Sequence, residues 1–209
     1  MTIIESLQWR YATKKFDDSR SLSEEKLNTL KQAFNLTATS FGLQTIKMVV
    51  IKDKEIRQQL VQLAYGQNQV LNASHLLVLC IAENISEQDV DTHFDNVNVI
   101  RSTPETILAP FRADLKSMMR KKSQEERQQW SIKQAYIALG NLMTVCAVER
   151  IDACPMEGFN TLEYDAILTM KETALKSVLL LPVGYRDQTD MFADLKKVRK
   201  PMQDAILEL

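Results

Sequence analysis

Apolar positions along the chain recur at two periods, and the switches between them mark its elements. Ile3, Ile4 and Leu7 predict a short helix with one apolar face. Ser23 is a good N-cap, Glu24 and Glu25 stand at the positive end of the helix dipole, and Leu27, Leu30, Ala33 and Phe34 follow at helical spacing. That helix ends near the hydroxyl-rich loop Leu36–Gly42. Ile46 to Ile51 reads as a strand, and Asp53 caps a helix carrying Ile56, Leu60, Leu63 and Ala64. After the polar stretch Gly66-Gln67-Asn68-Gln69, the unbroken apolar run Leu76–Ala82 is typical of a strand buried on both faces.

Ser86 to about Ile100 and Thr103 to Lys122 predict two amphipathic helices, the second with Thr103 as N-cap, Pro104 at N1 and Glu105 in its first turn. Ser123-Gln124-Glu125-Glu126 is a capping box opening a helix that runs to about Arg150. From Ile132 to Val148 this helix is apolar nearly all round, which places it in a core or between subunits, and Gly140 allows close packing. Leu162–Leu168 reads as a short helix, Ser177–Tyr185 as a second buried strand, and the tail from Lys196 to Pro201 is basic. Irregular alternation with helix in excess predicts an α+β fold, a small central sheet among many helices.

Between the long helix and the next lies Asp152-Ala153-Cys154-Pro155-Met156-Glu157-Gly158-Phe159. Pro155 holds Cys154 extended, and Gly158 permits a close backbone approach or a positive φ. Amides of Met156, Glu157 and Gly158 pointing at a flat heterocycle are one reading; an ordinary connection is the other.

Composition narrows the class. With 209 residues, 45% hydrophobic and 25% charged, the chain suits one large or two small soluble domains. A net charge of −1 provides no field for nucleic acid or an anionic membrane. No run is long enough to span a bilayer, and the N-terminus has no secretory pattern. Three scattered cysteines make no disulfide framework and fit a reducing compartment, so a cytoplasmic protein is expected.

Chemical signals are sparse. Neither G-x-G-x-x-G nor the P-loop pattern occurs. His75 and His93 are not in ligand spacing, so no metal site is expected, and Cys154 reads as an inert buried thiol. There remain two pairs of cations: Arg10 with Lys14, and Lys197 with Arg199, which share one face of an extended segment. Converging cations suit a phosphate monoester; a solvated surface is the plainer alternative.

Eight short stretches, in order, resemble the FMN-dependent nitroreductase family over essentially the full length: Arg10–Lys14, Thr39–Gln44, Gly66–Gln69, Ala73–His75, Lys133-Gln134, Pro155–Phe159, Pro182–Gly184 and Lys197–Arg199. The resemblance implies one domain over 1–209, a helical excursion at about 86–122 covering the active site, and an intertwined homodimer whose small central sheet is mostly antiparallel. It implies tightly bound FMN at the subunit interface. Arg10, Ala12, Lys197 and Arg199 would surround its phosphate and ribityl chain, Lys14 would reach the pyrimidine edge, and Tyr11 would be among the cofactor-binding residues. Ala12 stands where relatives often have Ser, leaving only backbone contacts there. Thr39, Ser40 and Gly42 would come from the other subunit, with Gln67 and Gln69 near the flavin and Gln134 near the ribityl chain. Pro155, Met156, Glu157 and Gly158 would pack over the ring, an amide at about Glu157 donating to N5.

No side chain would be catalytic, because the cofactor performs the redox chemistry. The implied function is ping-pong transfer from NAD(P)H, a transient visitor, to a nitroaromatic or quinone. Alternatives are an FMN reductase of another acceptor (a pterin, as in dihydropteridine reductase-like proteins, or an enone), a flavin-binding protein without turnover, and a purely structural helical dimer. Phe94, Phe111 and Met118 or Met119 are candidates for the acceptor pocket, with plain packing as the alternative.

Overall fold

The structure, a computed structural model, describes residues 2–209. Among them nine α-helices surround one four-stranded sheet. In chain order these are α1 (Ile3–Trp9), α2 (Glu24–Asn35), β1 (Ile46–Ile51), α3 (Lys54–Leu63), α4 (Gln69–Asn72), β2 (His75–Ala82), α5 (Glu87–Arg101), α6 (Glu105–Arg120), α7 (Gln124–Val148), β3 (Asp152–Ala153), α8 (Thr161–Ile167), β4 (Leu175–Gly184) and α9 (Met202–Ala205). The sheet order is β1-β2-β4-β3, and every pairing is antiparallel.

Strand β2 is buried on both faces because its alternate residues enter different cores. Leu76, Val78 and Cys80 pack with Leu60, Phe159 and Tyr164, on the side of α3 and α8. Leu77, Leu79 and Ile81 pack with Leu30, Ala135, Ala138, Leu139 and Leu142, on the side of α2 and α7. A third cluster belongs to the excursion: Val90 and Phe94 on α5 meet Leu108, Leu115 and Met119 on α6.

The start of α6 differs from the expectation: Pro104, not Thr103, is its N-cap, with φ −60° and ψ 143°. Pro104 lacks an N–H and sits extended just outside the helix, while the Thr103 carbonyl accepts from the Asn98 side chain. The Ser123 capping box forms as expected, and α7 ends at Val148. Its burial is one-sided. Ser131, Gln134, Ala135, Ala138, Leu139 and Leu142 are buried, whereas Tyr136, Ile137 and Val148 are exposed. No helix among the described residues is long and apolar enough to cross a membrane.

Candidate functional site

The two chain ends meet. Residues 10–14 leave α1 and run beside β3: Ala12 bridges Ala153, and the Thr13 amide donates to the Ala153 carbonyl at 3.2 Å. The tail returns across them after β4. Arg10, Tyr11, Ala12, Lys14, Phe192, Leu195, Lys196, Lys197 and Arg199 line one cavity of about 330 Å³. Lys197 Nζ donates to the Arg10 carbonyl.

No carboxylate among the described residues lies within salt-bridge range of Arg10, Lys14, Lys197 or Arg199. The cations act on one another instead. Burial lowers the Lys197 pKa, and Arg10 and Arg199 lower it further; burial and Arg199 likewise lower that of Arg10. Crowded like charges are unfavourable unless an anion joins them. A phosphate dianion fits this donor set, since Arg presents paired N–H groups and Lys a mobile point charge.

The Pro155 turn follows directly on Ala153, which pairs with Ala12 of the cavity wall. Burial raises the Cys154 pKa, and the residue is 1% exposed, so it stays a protonated packing group. One expectation needs correction. The Met156 amide is committed to the Leu180 carbonyl at 2.9 Å, so strand-like pairing removes it from the turn's free donors. The amides of Glu157 and Gly158 have no acceptor among the described residues, and both residues are exposed. Gly158 does not adopt a positive φ, and a Cβ there would meet only Gln67 Nε2 at 3.6 Å and Tyr65, at ordinary contact. Its own chain leaves that surface open to close approach.

The polar stretch after α3 reaches the same turn. Gln67 Nε2 donates to the Gly158 carbonyl at 3.0 Å. Gln69 is the first residue of α4 and is buried.

Thr39, Ser40 and Gly42 form a separate group. The Ser40 amide donates to Gln134 Oε1 at 2.9 Å, and Thr39 Oγ1 is buried with no partner among the described residues. Gly42 has φ +72°, and a Cβ there would lie 2.8 Å from His93 Cε1. Phe41, between them, has φ +58° and is exposed. With Phe94, Phe111, Asp114, Leu115 and Met118 it lines an apolar cavity of about 210 Å³. Thus Phe94, Phe111 and Met118 share a cavity, whereas Met119 is 1% exposed and belongs to the core. Phe41, Phe192 and Leu195 escaped the sequence reading, because nothing local distinguishes a packing aromatic or aliphatic from one facing a cavity, and Asp114 escaped as one charged residue among several on α6.

The family model for the nitroreductase family matches residues 7–185. The chain belongs to that family. It is a family of oxidoreductases. A Staphylococcus saprophyticus protein provisionally named NAD(P)H nitroreductase is 30% identical over 213 residues, covering 98% of this chain and 95% of that one. The fold agrees. A solved structure from Bacillus subtilis, also provisionally titled a nitroreductase, superposes with a TM-score of 0.88 at 20% identity, covering 99% of this chain and 98% of the other. One from Exiguobacterium sibiricum, with a similarly provisional title and in complex with FMN, gives 0.84 at 18% identity over 100% and 98%. This nitroreductase-family chain thus carries the α+β architecture expected of it, with a wholly antiparallel sheet.

Proposed function

We propose that this nitroreductase-family protein is an FMN-dependent oxidoreductase that draws on NAD(P)H to reduce flat acceptors such as nitroaromatics or quinones. The observation carrying this reading is the convergence of Arg10, Lys14, Lys197 and Arg199 on one cavity with no carboxylate among the described residues in salt-bridge range of them. Bound FMN would supply the redox chemistry, accepting a hydride from the nicotinamide and returning electrons to the acceptor.

The chain's own residues hold and bias that group. Arg10, Lys197 and Arg199 bind the phosphate end, Tyr11 and Ala12 line its path, and Lys14 offers a cation to the pyrimidine edge of the ring, where negative charge develops on reduction. The free amides of Glu157 and Gly158 orient the ring, with Pro155 and Met156 fixing the turn and Gln67 bracing it. Gln69 supports the adjoining loop. No side-chain acid is required where water supplies the protons.

A homodimer completes the site. Ser40 bonds Gln134 and Glu157 bonds Tyr136, yet positions two apart on a helix point about 200° from one another. The Thr39–Gly42 loop and the Glu157 turn therefore lie on opposite sides of α7 within one chain. Pairing two copies through exposed α7 positions such as Ile137 and Val148 offers a route for Thr39, Ser40 and Gly42 of one copy to the cavity of its partner, with buried Gln134 holding the Ser40 amide in place. The α5–α6 pair, with its apolar cavity, covers the acceptor.

Purified protein should be yellow and bleach with NADH or NADPH, recovering on addition of an acceptor. The double variant R10A/K197A should bind FMN roughly a hundredfold more weakly. Colourless protein that takes up no added FMN rejects the reading.

A further inference from the structure

The cavity's two walls come from opposite ends of the chain, and one side chain ties them. Asp190 is 5% exposed. Its Oδ2 accepts from the Tyr11 hydroxyl at 2.7 Å, the Lys14 amide at 2.9 Å and the Lys15 amide at 3.0 Å. Its Oδ1 accepts from the Phe192 amide at 3.1 Å. The first three donors belong to the wall bearing Arg10 and Lys14, and the fourth to the turn that launches Lys197 and Arg199.

None of these contacts is an ion pair. The nearby guanidinium of Arg186, stacked 4.6 Å from the Tyr11 ring centre, is engaged by Asp152 at 2.7 Å. The negative charge of Asp190 is thus spent on orienting backbone, and the cavity cations have no ion-pair partner among the described residues. Burial opposes that charge; the Lys15 amide, the Tyr11 hydroxyl and the Lys14 and Phe192 amides outweigh it and hold the carboxyl below its usual range. A neutral side chain cannot offer two acceptor oxygens to the two walls.

We infer that Asp190 is the positioning residue of the cation cavity, locking the N-terminal and C-terminal walls at the spacing that selects a phosphate-bearing flavin over the same flavin without phosphate. The inference rests on the FMN reading above.

Full-length protein stripped of flavin is titrated with FMN and with riboflavin, following flavin fluorescence, for wild type, D190A, D190N and D187N. Wild type should prefer FMN. D190A should lose roughly tenfold or more of that preference, with riboflavin, which still meets Lys14 but has no phosphate, weakened clearly less than FMN. D190N can keep one oxygen for the three N-terminal donors, but it turns an NH₂ toward the Phe192 amide, so its loss should be intermediate. Asp187 bonds Thr189 and pairs with Lys15 in the same turn without touching Tyr11 or Phe192, so D187N should keep the wild-type preference. A loosened fold would weaken both flavins equally. Equal weakening, or an unchanged preference in D190A and D190N, overturns the assignment of Asp190 while leaving the cofactor reading intact. If D190A does not fold, D190N decides. Wild type that fails to prefer FMN overturns both.

Discussion

Tyr136 donates its hydroxyl to Oε1 of Glu157 over 2.8 Å, tying the middle of α7 to the tip of the Pro155 turn. The contact raises the tyrosine pKa, chiefly through the hydrogen bond itself. It braces the residue whose free amide is assigned to the flavin ring. In Y136F the turn keeps its Met156–Leu180 anchor and loses this brace. FMN affinity should fall about two- to fivefold, the worth of one net hydrogen bond, with the unfolding midpoint nearly unchanged. Flavin titration and urea denaturation of the same preparation check both halves.

Arg57 is 1% exposed and has no salt bridge among the described residues. Its guanidinium donates to the carbonyls of Lys52, Leu71 and Ala73, with longer contacts to Asp53 and Val70. The cation thereby satisfies the C-terminal end of α4 and pins it to the β1–α3 connection. R57M keeps much of the volume and strands those carbonyls in the core. It should cost roughly 3–5 kcal/mol of unfolding free energy in urea denaturation. A loss below about 1 kcal/mol would mean that water replaces the guanidinium.

G42A adds a Cβ at φ +72° and only 2.8 Å from His93 Cε1. Backbone strain and the clash act together, and the His93 ring must swing aside or the Ser40 loop shift to make room. The substitution should lower stability by about 1–3 kcal/mol and weaken flavin binding with it. Thermal unfolding with and without FMN separates the two effects. H93A in the same background should restore part of the loss by opening room for the methyl group.

Stability should fall on acidification. Burial lowers the His75 pKa, with Lys52 and Arg57 adding to the effect, and burial also lowers that of His93. His75 is 2% exposed and its Nε2 has no partner among the described residues. The folded state thus binds fewer protons than the unfolded chain, whose histidines titrate near about 6.5. This contribution is present above that pH and is lost as pH falls through it toward 5. Urea midpoints at pH 7.5, 6.5 and 5.5 should decline, and H75Q should flatten part of the slope.

Much of the architecture was legible in residue order alone. The strand Ile46–Ile51, the run Leu76–Ala82 and the capping box at Ser123 announce themselves because each is a local bargain between neighbours in sequence. The two-residue strand Asp152–Ala153 and the short helix Gln69–Asn72 did not. Elements that small have no periodicity, and they exist because Val183 and Gly184 pair with the first and Arg57 holds the end of the second.

The candidate site divides in the same way. Sequence by itself determined which cations were available at the two chain ends, and that a Pro and a Gly break the chain after the long helix. Only the tertiary structure decided that Lys197 lies against Arg10, that Asp190 spans both walls, and that the Met156 amide is already taken. Side-chain type is a property of one position, whereas a cavity is a relation among segments roughly 190 residues apart, set by how the cores on either side of β2 pack. That relation is carried by no single stretch of the chain.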